Sequence, residues 1–364
     1  MTERVPLGNA RELAQTAETL PLKELPNKVV YVNEDFQKKG LPFGIREKGI
    51  TRKIQLGDSI PTIGFLQNAA DSIHTSKKAE VESQHKRSAI YGRVIFTDGI
   101  QIYRDIDLKG VGYYGFDKNL GSSNVLMIKT SGNSVLGLLR KETALHDAEI
   151  GERFIEAGIK TDRTVVITSI DSIVKPDGQV ISVSELKDQG IIPEDFEPVI
   201  IMRAYGVRSR VHEVTVPFER RKVQLLDAKR FVQQQLNVEE LSWNEYLQWF
   251  SGTLGLNVAR MHNIGLVHLN LHADNCFPHN ITLDCRIIDK DGVQSINEDI
   301  FDLLGRKVPV EKALTRDTAQ SKIVIYELYK EIIKMIPESN SENIDIRLLL
   351  QIFIDTYEQE RGVK

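Results

Sequence analysis

The stretch from His262 to Asp291, HNIGLVHLNLHADNCFPHNITLDCRIIDKD, concentrates side chains that can bind a metal ion or accept a proton. Its polar residues lie between two apolar runs, GLVH and RIID. These runs predict short buried strands whose ends carry carboxylates and amides, and metal and phosphate sites are commonly built at such ends. We therefore expect the chemistry in this stretch, and we treat the other segments as the framework that positions it.

The spacing within the stretch is that of a protein kinase catalytic loop. From His268 the chain reads HLNLHADN, which fits the frame H-R-D-x-x-x-x-N. Asp289 follows Asn275 by fourteen residues, where a kinase has its metal-binding aspartate. Asn270 replaces the aspartate that normally acts as base. An amide does not accept a proton at neutral pH, so either the base lies elsewhere or the chain is not an ordinary kinase.

Composition indicates a globular enzyme and excludes several other classes of protein. The 364 residues are 41% hydrophobic and 27% charged, with a formal net charge of −4, and this gives no electrostatic reason to expect nucleic acid as a partner. Two cysteines, Cys276 and Cys285, are too few for a disulfide framework or a four-ligand zinc site. The sequence shows no signal-peptide core and no apolar run of membrane-spanning length. We expect a cytoplasmic protein without a membrane span, with secretion by a route that uses no cleaved signal left open.

A lysine at the end of a strand is the first candidate upstream of this stretch. Alternating apolar and polar residues from Ala89 to Gly112 predict a hairpin that turns at Asp98-Gly99. Lys109 ends its second strand, and the glycines that follow would let backbone approach a phosphate that the ammonium also reaches. Lys129, at the end of VLMIK, is the alternative lysine.

The next element predicts a partner for that lysine. Residues 141–159 read as an amphipathic helix with Leu145, Ala148, Phe154 and Ile155 toward the core. In a kinase fold a carboxylate on this helix pairs with the strand lysine. Asp147, Glu149 and Glu152 are all candidates for that role.

Three arginines follow a predicted buried strand in VIIMRAYGVRSRV. Arg203, Arg208 and Arg210 repel each other at this spacing unless they are exposed or share an anion. They are therefore either solvated loop residues or part of an anion site. From Val214 onward the sequence predicts mainly helices.

In this order of elements the chain resembles a divergent, shortened member of the selenoprotein O family, pseudokinases that transfer AMP to protein hydroxyls. The likeness spans about residues 90 to 290. It is carried by four segments, DLKGVG at 107–112, EAGI at 156–159, MRAYGVRSR at 202–210 and HADNCF at 272–277. The resemblance implies an α+β, bilobal protein kinase-like fold. We expect an N-terminal extension over 1–80, a β-rich N-lobe over 81–212 and a mainly helical C-lobe over 213–364.

The resemblance also implies roles for individual residues. Lys109 matches the phosphate-binding lysine and Asp147 its helix carboxylate, while Arg203 and Arg210 match two arginines that grip the phosphates of a flipped nucleotide. Asp274 matches the proposed base, and Asn275 and Asp289 match the ligands of Mg²⁺ or Mn²⁺. These matches move the base from Asn270 to Asp274, four residues further on.

The implied function is transfer of AMP from ATP to a protein hydroxyl. Two alternatives remain from the sequence: conventional phosphorylation of a protein or a small molecule, with His272 or Asp274 assisting the acceptor, and a nucleotide-binding scaffold without turnover. The chain departs from the family in being shorter, in lacking the C-terminal cysteine or selenocysteine motif, and in having DKDG at 289–292, where Asp291 is a further candidate ligand.

Overall fold

The computed structural model describes residues 18–38, 45–47, 50–60, 63–66, 78–81, 88–112, 137–174, 179–212, 216–272, 279–302, 304–336 and 344–362. The chain divides into two compact units. The sheet unit contains the described residues up to Ala148 together with Arg163–Tyr205, and the helical unit contains Glu149–Asp162 and the described residues from Gly206 onward. The predicted α+β class, with one β-rich and one mainly helical part, is confirmed. The predicted boundaries at 80 and 212 stay a prediction.

Where the structure describes it, the sheet unit consists of strands and three helices, of which α2 continues into the helical unit. In chain order its elements are β1 (Glu18–Glu24), β2 (Asn27–Val32), α1 (Glu34–Lys38), β3 (Ile45–Glu47), β4 (Ile50–Arg52), β5 (Gly64–Leu66), β6 (Lys78–Val81), β7 (Ser88–Thr97), β8 (Ile102–Lys109), β9 (Leu139–Arg140), α2 (Lys141–Glu156), β10 (Arg163–Ile170), β11 (Ser172–Val174), β12 (Val180–Ser182), α3 (Val183–Asp188) and β13 (Pro198–Tyr205).

Among the described residues, nine strands form one antiparallel sheet in the order β2-β10-β13-β8-β7-β6-β1-β5, with β9 paired to β13. The predicted hairpin of β7 and β8 is confirmed. Its turn is held by Asp98, whose Oδ1 accepts the backbone N–H groups of Ile100 and Gln101, both at 2.8 Å. Strands β1, β2, β5 and β6 come from the stretch predicted as an N-terminal extension and belong to this sheet.

The central strand β8 is buried on both faces. Its apolar side chains Ile106 and Leu108 enter the main hydrophobic core of the unit. Because side chains alternate along a strand, Asp105, Asp107 and Lys109 share the other face. On that side α2 packs through Ala144 and Ala148 in a smaller apolar cluster that also contains Leu139, Ile167, Val199 and Ile201. The predicted helix is confirmed as α2, which carries the candidate carboxylates Asp147, Glu149 and Glu152.

Among its described residues, the helical unit contains four further helices and a pair of short antiparallel strands that are far apart in the chain. These are α4 (Phe218–Gln235), α5 (Trp243–Asn263), β14 (Leu266–Val267), a single 3-10 turn (Lys290–Gly292), β15 (Gln294–Ser295), α6 (Val310–Ile333) and α7 (Ile346–Arg361). Ser242 and Glu245 form a reciprocal capping box at the start of α5, which fixes where that helix begins. Across the described part of the chain, no helix is long and apolar enough to cross a membrane.

Irregular segments pack against each other to support the stretch that ends at Asp289. Thr161 forms a bridge with Ile287, and the Ile287 N–H donates to the carbonyl of Lys160 at 2.9 Å. A Cβ at Gly206 would lie 2.1 Å from Oδ2 of Asp284. Only glycine therefore allows this backbone to lie against that carboxylate, which forms a fully buried ion pair with Arg286.

Lys160 is a half-buried lysine at the edge of this packing. Its Nζ donates to Oε1 of Gln235 at 3.2 Å and lies 4.7 Å from the ring centre of Trp249. Burial lowers the pKa of Lys160 from 10.5 to about 8. The protonated side chain is therefore less favourable in the folded chain than in the unfolded one.

This pKa shift predicts a pH dependence of stability. Between about pH 8 and 10.5 the unfolded chain binds a proton at Lys160 that the folded chain lacks, so this residue makes the free energy of unfolding rise with pH. We expect the difference in free energy of unfolding, wild type minus Lys160→Met, to be larger at pH 10 than at pH 7.5 in urea titrations. The control Lys312→Met removes an exposed lysine of α6 and separates burial from the substitution itself. An equal or smaller difference at pH 10 contradicts the prediction.

Candidate functional site

The loop at 268–272 is held by the side chain of Asp317 on α6. The backbone N–H groups of His268 and Leu269 donate to its two carboxylate oxygens at 2.8 and 2.6 Å. Leu269 has a left-handed φ of +61°, a conformation that a branched residue adopts only with outside support. Asp317 is fully buried, so these charge-assisted bonds also provide the partners that a buried carboxylate requires.

His262 connects this carboxylate to the last helix. Its Nε2 lies 3.3 Å from Oδ2 of Asp317, and its Nδ1 lies 2.8 Å from the hydroxyl of Tyr357 on α7. A carboxylate only accepts, so Nε2 carries a hydrogen and donates it to Asp317. Burial raises the pKa of Tyr357, which keeps its hydroxyl protonated. The chain Tyr357–His262–Asp317 thus joins α7, α5 and α6 beneath the loop.

Gln320, one turn further along α6, holds the rest of the loop. Its Oε1 accepts the N–H of Leu271 at 2.9 Å, and its Nε2 donates to the carbonyl of Leu269 at 3.1 Å. Asp317 and Gln320 together bind consecutive polar groups of the loop backbone. The conformation of the loop is therefore set by α6.

The ring of His268 ties the loop to the strand-like segment before Asp289. Its Nε2 lies 2.9 Å from the carbonyl oxygen of Ile288, which fixes the hydrogen on that nitrogen because a carbonyl only accepts. The ring is buried. Two parts of the predicted site, the loop and Asp289, are thus brought together by a residue of the loop itself.

Asp289 adopts a left-handed backbone, with a φ of +54°. The next residue, Lys290, is fully buried and forms an ion pair with Asp162, which is also fully buried. A phenylalanine normally occupies this position in a kinase D-F-G motif. Here an ion pair anchors the backbone directly after the candidate metal ligand.

Arg210 contacts Asp289 directly. Its Nη2 donates to Oδ2 of Asp289 at 2.9 Å, and its Nη1 donates to Oδ1 of Asn280 at 2.9 Å. The amide of Asn280 in turn donates to the carbonyl of Asn270 at 2.8 Å. The structure therefore brings Arg210, Asp289 and the loop together, as a functional site requires.

Asp289 has the chemistry of a magnesium ligand. Its side chain is 23% exposed and offers hard carboxylate oxygens. Mg²⁺ is commonly held by one or two carboxylates together with substrate phosphates, so a full cage of protein ligands is not needed. No group of three or more His, Cys, Asp or Glu that could hold a metal occurs among the described residues. The donor set fits a metal that arrives with its phosphate ligand.

In the sheet unit, Lys109 ends β8 as predicted and is 5% exposed. Gly110 has a φ of +93°, and a Cβ there would lie 2.4 Å from the carbonyl oxygen of Val199, so close packing against β13 requires this glycine. The Arg203 guanidinium forms a bidentate ion pair with Asp107, at 2.9 and 3.2 Å. Arg203 and Arg210 belong to different units.

The three candidate carboxylates on α2 differ in exposure, and Glu152 is intermediate. Asp147 is buried, whereas Glu149 is exposed. Three further candidates, Lys129, Asp274 and Asn275, lie outside the described residues. Their predicted roles remain predictions.

Sequence reasoning did not find Asp317, Gln320, Asn280 or the partner of Lys290. One signal for Asp317 is present, because it lies four residues after the buried Ala313 and four before the buried Ser321, on the core-facing stripe of α6. A charged residue in that stripe requires a buried partner. Asn280 carries no comparable local signal.

Removing the support under the loop should expose its backbone to exchange. Asp317→Asn keeps the size of the side chain and removes its charge, and it turns one acceptor into a donor that faces N–H groups. Hydrogen bonds to charged groups contribute roughly 1.5 kcal/mol or more, so we expect amide exchange at His268 and Leu269 to accelerate about 10-fold or more. Hydrogen-exchange mass spectrometry measures this rate. Asp299→Asn, in an exposed ion pair with Lys307, is the control, and equal rates in the two variants contradict the prediction.

The Lys290–Asp162 pair predicts a strongly non-additive pair of substitutions. Lys290→Met leaves a buried carboxylate without its counter-ion and should lower the free energy of unfolding by about 3–5 kcal/mol. The double variant Lys290→Met/Asp162→Leu removes both charges and should recover most of that loss. Urea unfolding of the two variants measures the difference. A double variant less stable than Lys290→Met would show that the pair is not the reason for the loss.

The sequence matches no protein-family model and no curated protein sequence. The structure is similar to the kinase domain of a rhoptry antigen from Toxoplasma gondii, with a TM-score of 0.34 and 11% identity over 79% of this chain and 83% of that one. It is also similar to ROP2 from Toxoplasma gondii, a virulence factor described as having a protein-kinase fold and no enzymatic activity. That likeness has a TM-score of 0.34 and 10% identity over 76% of each chain. Neither likeness assigns a residue or a reaction to this chain.

Proposed function

We propose that this chain is a kinase-like, ATP- and Mg²⁺-dependent transferase that moves AMP from ATP to a protein hydroxyl. The observation that carries the proposal is the Arg210–Asp289 contact of 2.9 Å, which Asn280 joins to the loop at Asn270. A guanidinium edge beside a partly exposed carboxylate matches a polyphosphate with its metal, because the arginine binds phosphate oxygens and the carboxylate binds the cation. The resemblance to the selenoprotein O family supplies the choice of AMP over phosphate.

The chain's own residues take the following proposed roles. Mg²⁺, when held by Asp289 and Asn275, would neutralise charge on the triphosphate. For Lys109, Arg203 and Arg210 the resemblance supplies the proposed role, which is to bind phosphate oxygens. Asp147 is the proposed partner of Lys109, since it is buried on the helix that packs against the lysine's sheet, while Glu149 is exposed.

The proposed reaction is a single displacement at the α-phosphorus. The acceptor oxygen forms a bond to that phosphorus, the bond to the β-bridging oxygen breaks, and pyrophosphate leaves. The hydroxyl proton passes to the carboxylate of Asp274. Catalysis would come from positioning and charge neutralisation. The fixed conformation of the loop at 268–272 favours such catalysis, because it holds the catalytic groups in place. The cytoplasm, where we expect this protein, contains the ATP that the reaction consumes.

A nucleotide-binding scaffold without turnover is the second candidate. The bidentate Arg203–Asp107 pair favours it, since this pair already occupies N–H donors that the transfer reaction would use for phosphate. A scaffold binds nucleotide but transfers nothing to an acceptor.

Labelled ATP distinguishes these functions. The chain is incubated with Mg²⁺, candidate acceptor proteins and ATP labelled at either the α- or the γ-phosphate. We expect protein-bound label from the α-phosphate only. Label from the γ-phosphate would identify a conventional kinase, and binding without any transfer would identify a scaffold.

Variants test the assigned residues in the same assay. Asp289→Ala should reduce α-label incorporation by about 100-fold or more, because a group that stabilises transition-state charge commonly contributes that much. The exposed Asp299→Ala is the control and should retain wild-type incorporation. Asp274→Ala should lose far more activity than Asn270→Ala, and the reverse order would show that the base is assigned to the wrong residue.

A further inference from the structure

The backbones on either side of the Arg210–Asp289 contact are fixed. Arg210 forms a bridge with Thr282, and its neighbours Ser209 and Val211 bond to Leu283 and Ile281. On the other side, the Ile288 N–H donates to the carbonyl of Asn280 at 3.0 Å, and Lys290 is anchored by its buried ion pair. If Arg210 and Asp289 exchange partners, only the ends of their side chains therefore move, and the backbone stays in place.

The two tips differ in access to solvent. The Asp289 side chain is 23% exposed, whereas the Arg210 side chain is 9% exposed. A dissolved cation can therefore reach the carboxylate. Once a cation holds that carboxylate, the guanidinium loses this ion pair and lies beside a second positive charge, which a phosphate anion offsets.

We infer that the Arg210–Asp289 ion pair is an exchangeable contact that couples cation binding to anion binding. A divalent cation takes Asp289 from Arg210, and the Nη2 edge of Arg210 then binds a phosphate oxygen of the same ligand. The site thus selects a polyphosphate complexed with a divalent cation over either component alone. This deepens the proposed function and rests on its assignment of Asp289 as a metal ligand.

Asn280 is the positioning residue for this exchange. Its Oδ1 holds the Nη1 edge of Arg210 at 2.9 Å, so the guanidinium keeps one fixed edge while the other changes partner. Its Nδ2 holds the carbonyl of Asn270 at 2.8 Å. One amide therefore keeps the arginine and the candidate catalytic loop in register.

Mn²⁺ binding to the full chain, followed by electron paramagnetic resonance, tests the exchange without any turnover. Affinity for Mn²⁺ is measured alone and then with saturating adenylyl imidodiphosphate, in wild type and in Arg210→Gln. Arg306→Gln is the matched control, since it removes an exposed arginine that is also paired with an aspartate. In the samples that contain nucleotide, its chelation of Mn²⁺ is the same for every variant. Differences in Mn²⁺ affinity between variants therefore reflect binding to the protein.

We expect Arg210→Gln to bind Mn²⁺ alone about 5-fold or more tightly than wild type, because the competitor for Asp289 is gone. The gain in Mn²⁺ affinity on adding nucleotide should shrink by about the same factor, since binding couplings are reciprocal and commonly lie between 5- and 150-fold. Arg306→Gln should match wild type in both measurements. Asp289→Asn should abolish the tight Mn²⁺ site.

The inference is overturned if Arg210→Gln binds Mn²⁺ no more tightly than wild type, if the nucleotide effect is unchanged, or if neither protein binds Mn²⁺ through Asp289. If Arg210→Gln melts at too low a temperature for use, Arg210→Lys replaces it. Lysine keeps the charge but lacks the second edge that Asn280 holds, so both affinities should shift in the same directions by smaller factors. Coupling without label transfer would leave the inference standing and reject the proposed reaction. Label transfer without coupling would reject the inference and leave the proposed reaction standing.

Discussion

The candidate site depends on one buried carboxylate, that of Asp317. It accepts two backbone N–H groups of the loop at 268–272 and a ring N–H of His262, and it is closed off from solvent. A buried carboxylate is costly unless it is fully hydrogen-bonded, so the loop and the helices must adopt an arrangement that supplies these donors. The left-handed backbone of Leu269 follows from this requirement. The loop geometry is thus a consequence of helix packing in the helical unit.

Buried ion pairs serve the same purpose elsewhere. Arg203–Asp107 in the sheet unit, and Arg286–Asp284 and Lys290–Asp162 in the helical unit, are all buried. Such pairs add little net stability because desolvation offsets their attraction, yet breaking one is strongly unfavourable. They therefore favour one arrangement over its alternatives. Two of the three lie within a few residues of Asp289 and fix the backbone that carries it.

Around Asp289 the molecule combines a fixed frame with a contact that can change partner. The backbone of Asp289 is fixed on one side by the ion pair of Lys290 and on the other by the hydrogen bond from His268 to Ile288. Its carboxylate remains partly exposed beside Arg210. This arrangement suits a charged ligand, because a preorganised site loses little entropy on binding and its polar groups already point at the ligand. The amide of Asn280 joins the Arg210 side chain to the loop backbone at Asn270.

The sequence by itself determined the local elements and the chemical candidates. Alternation gave the β7–β8 hairpin with Lys109 at its end, helical periodicity gave α2, and kinase-like spacing singled out Asp289. The family resemblance singled out Arg210, which the structure places in contact with Asp289. Only the tertiary structure decided that β1, β2, β5 and β6 join the same sheet, that Asp107 holds Arg203, and that Asp317 and Asn280 hold the loop. The reason is physical: periodicity reports which face of an element is buried, whereas the partner of a buried charge is chosen by packing between residues far apart in the chain.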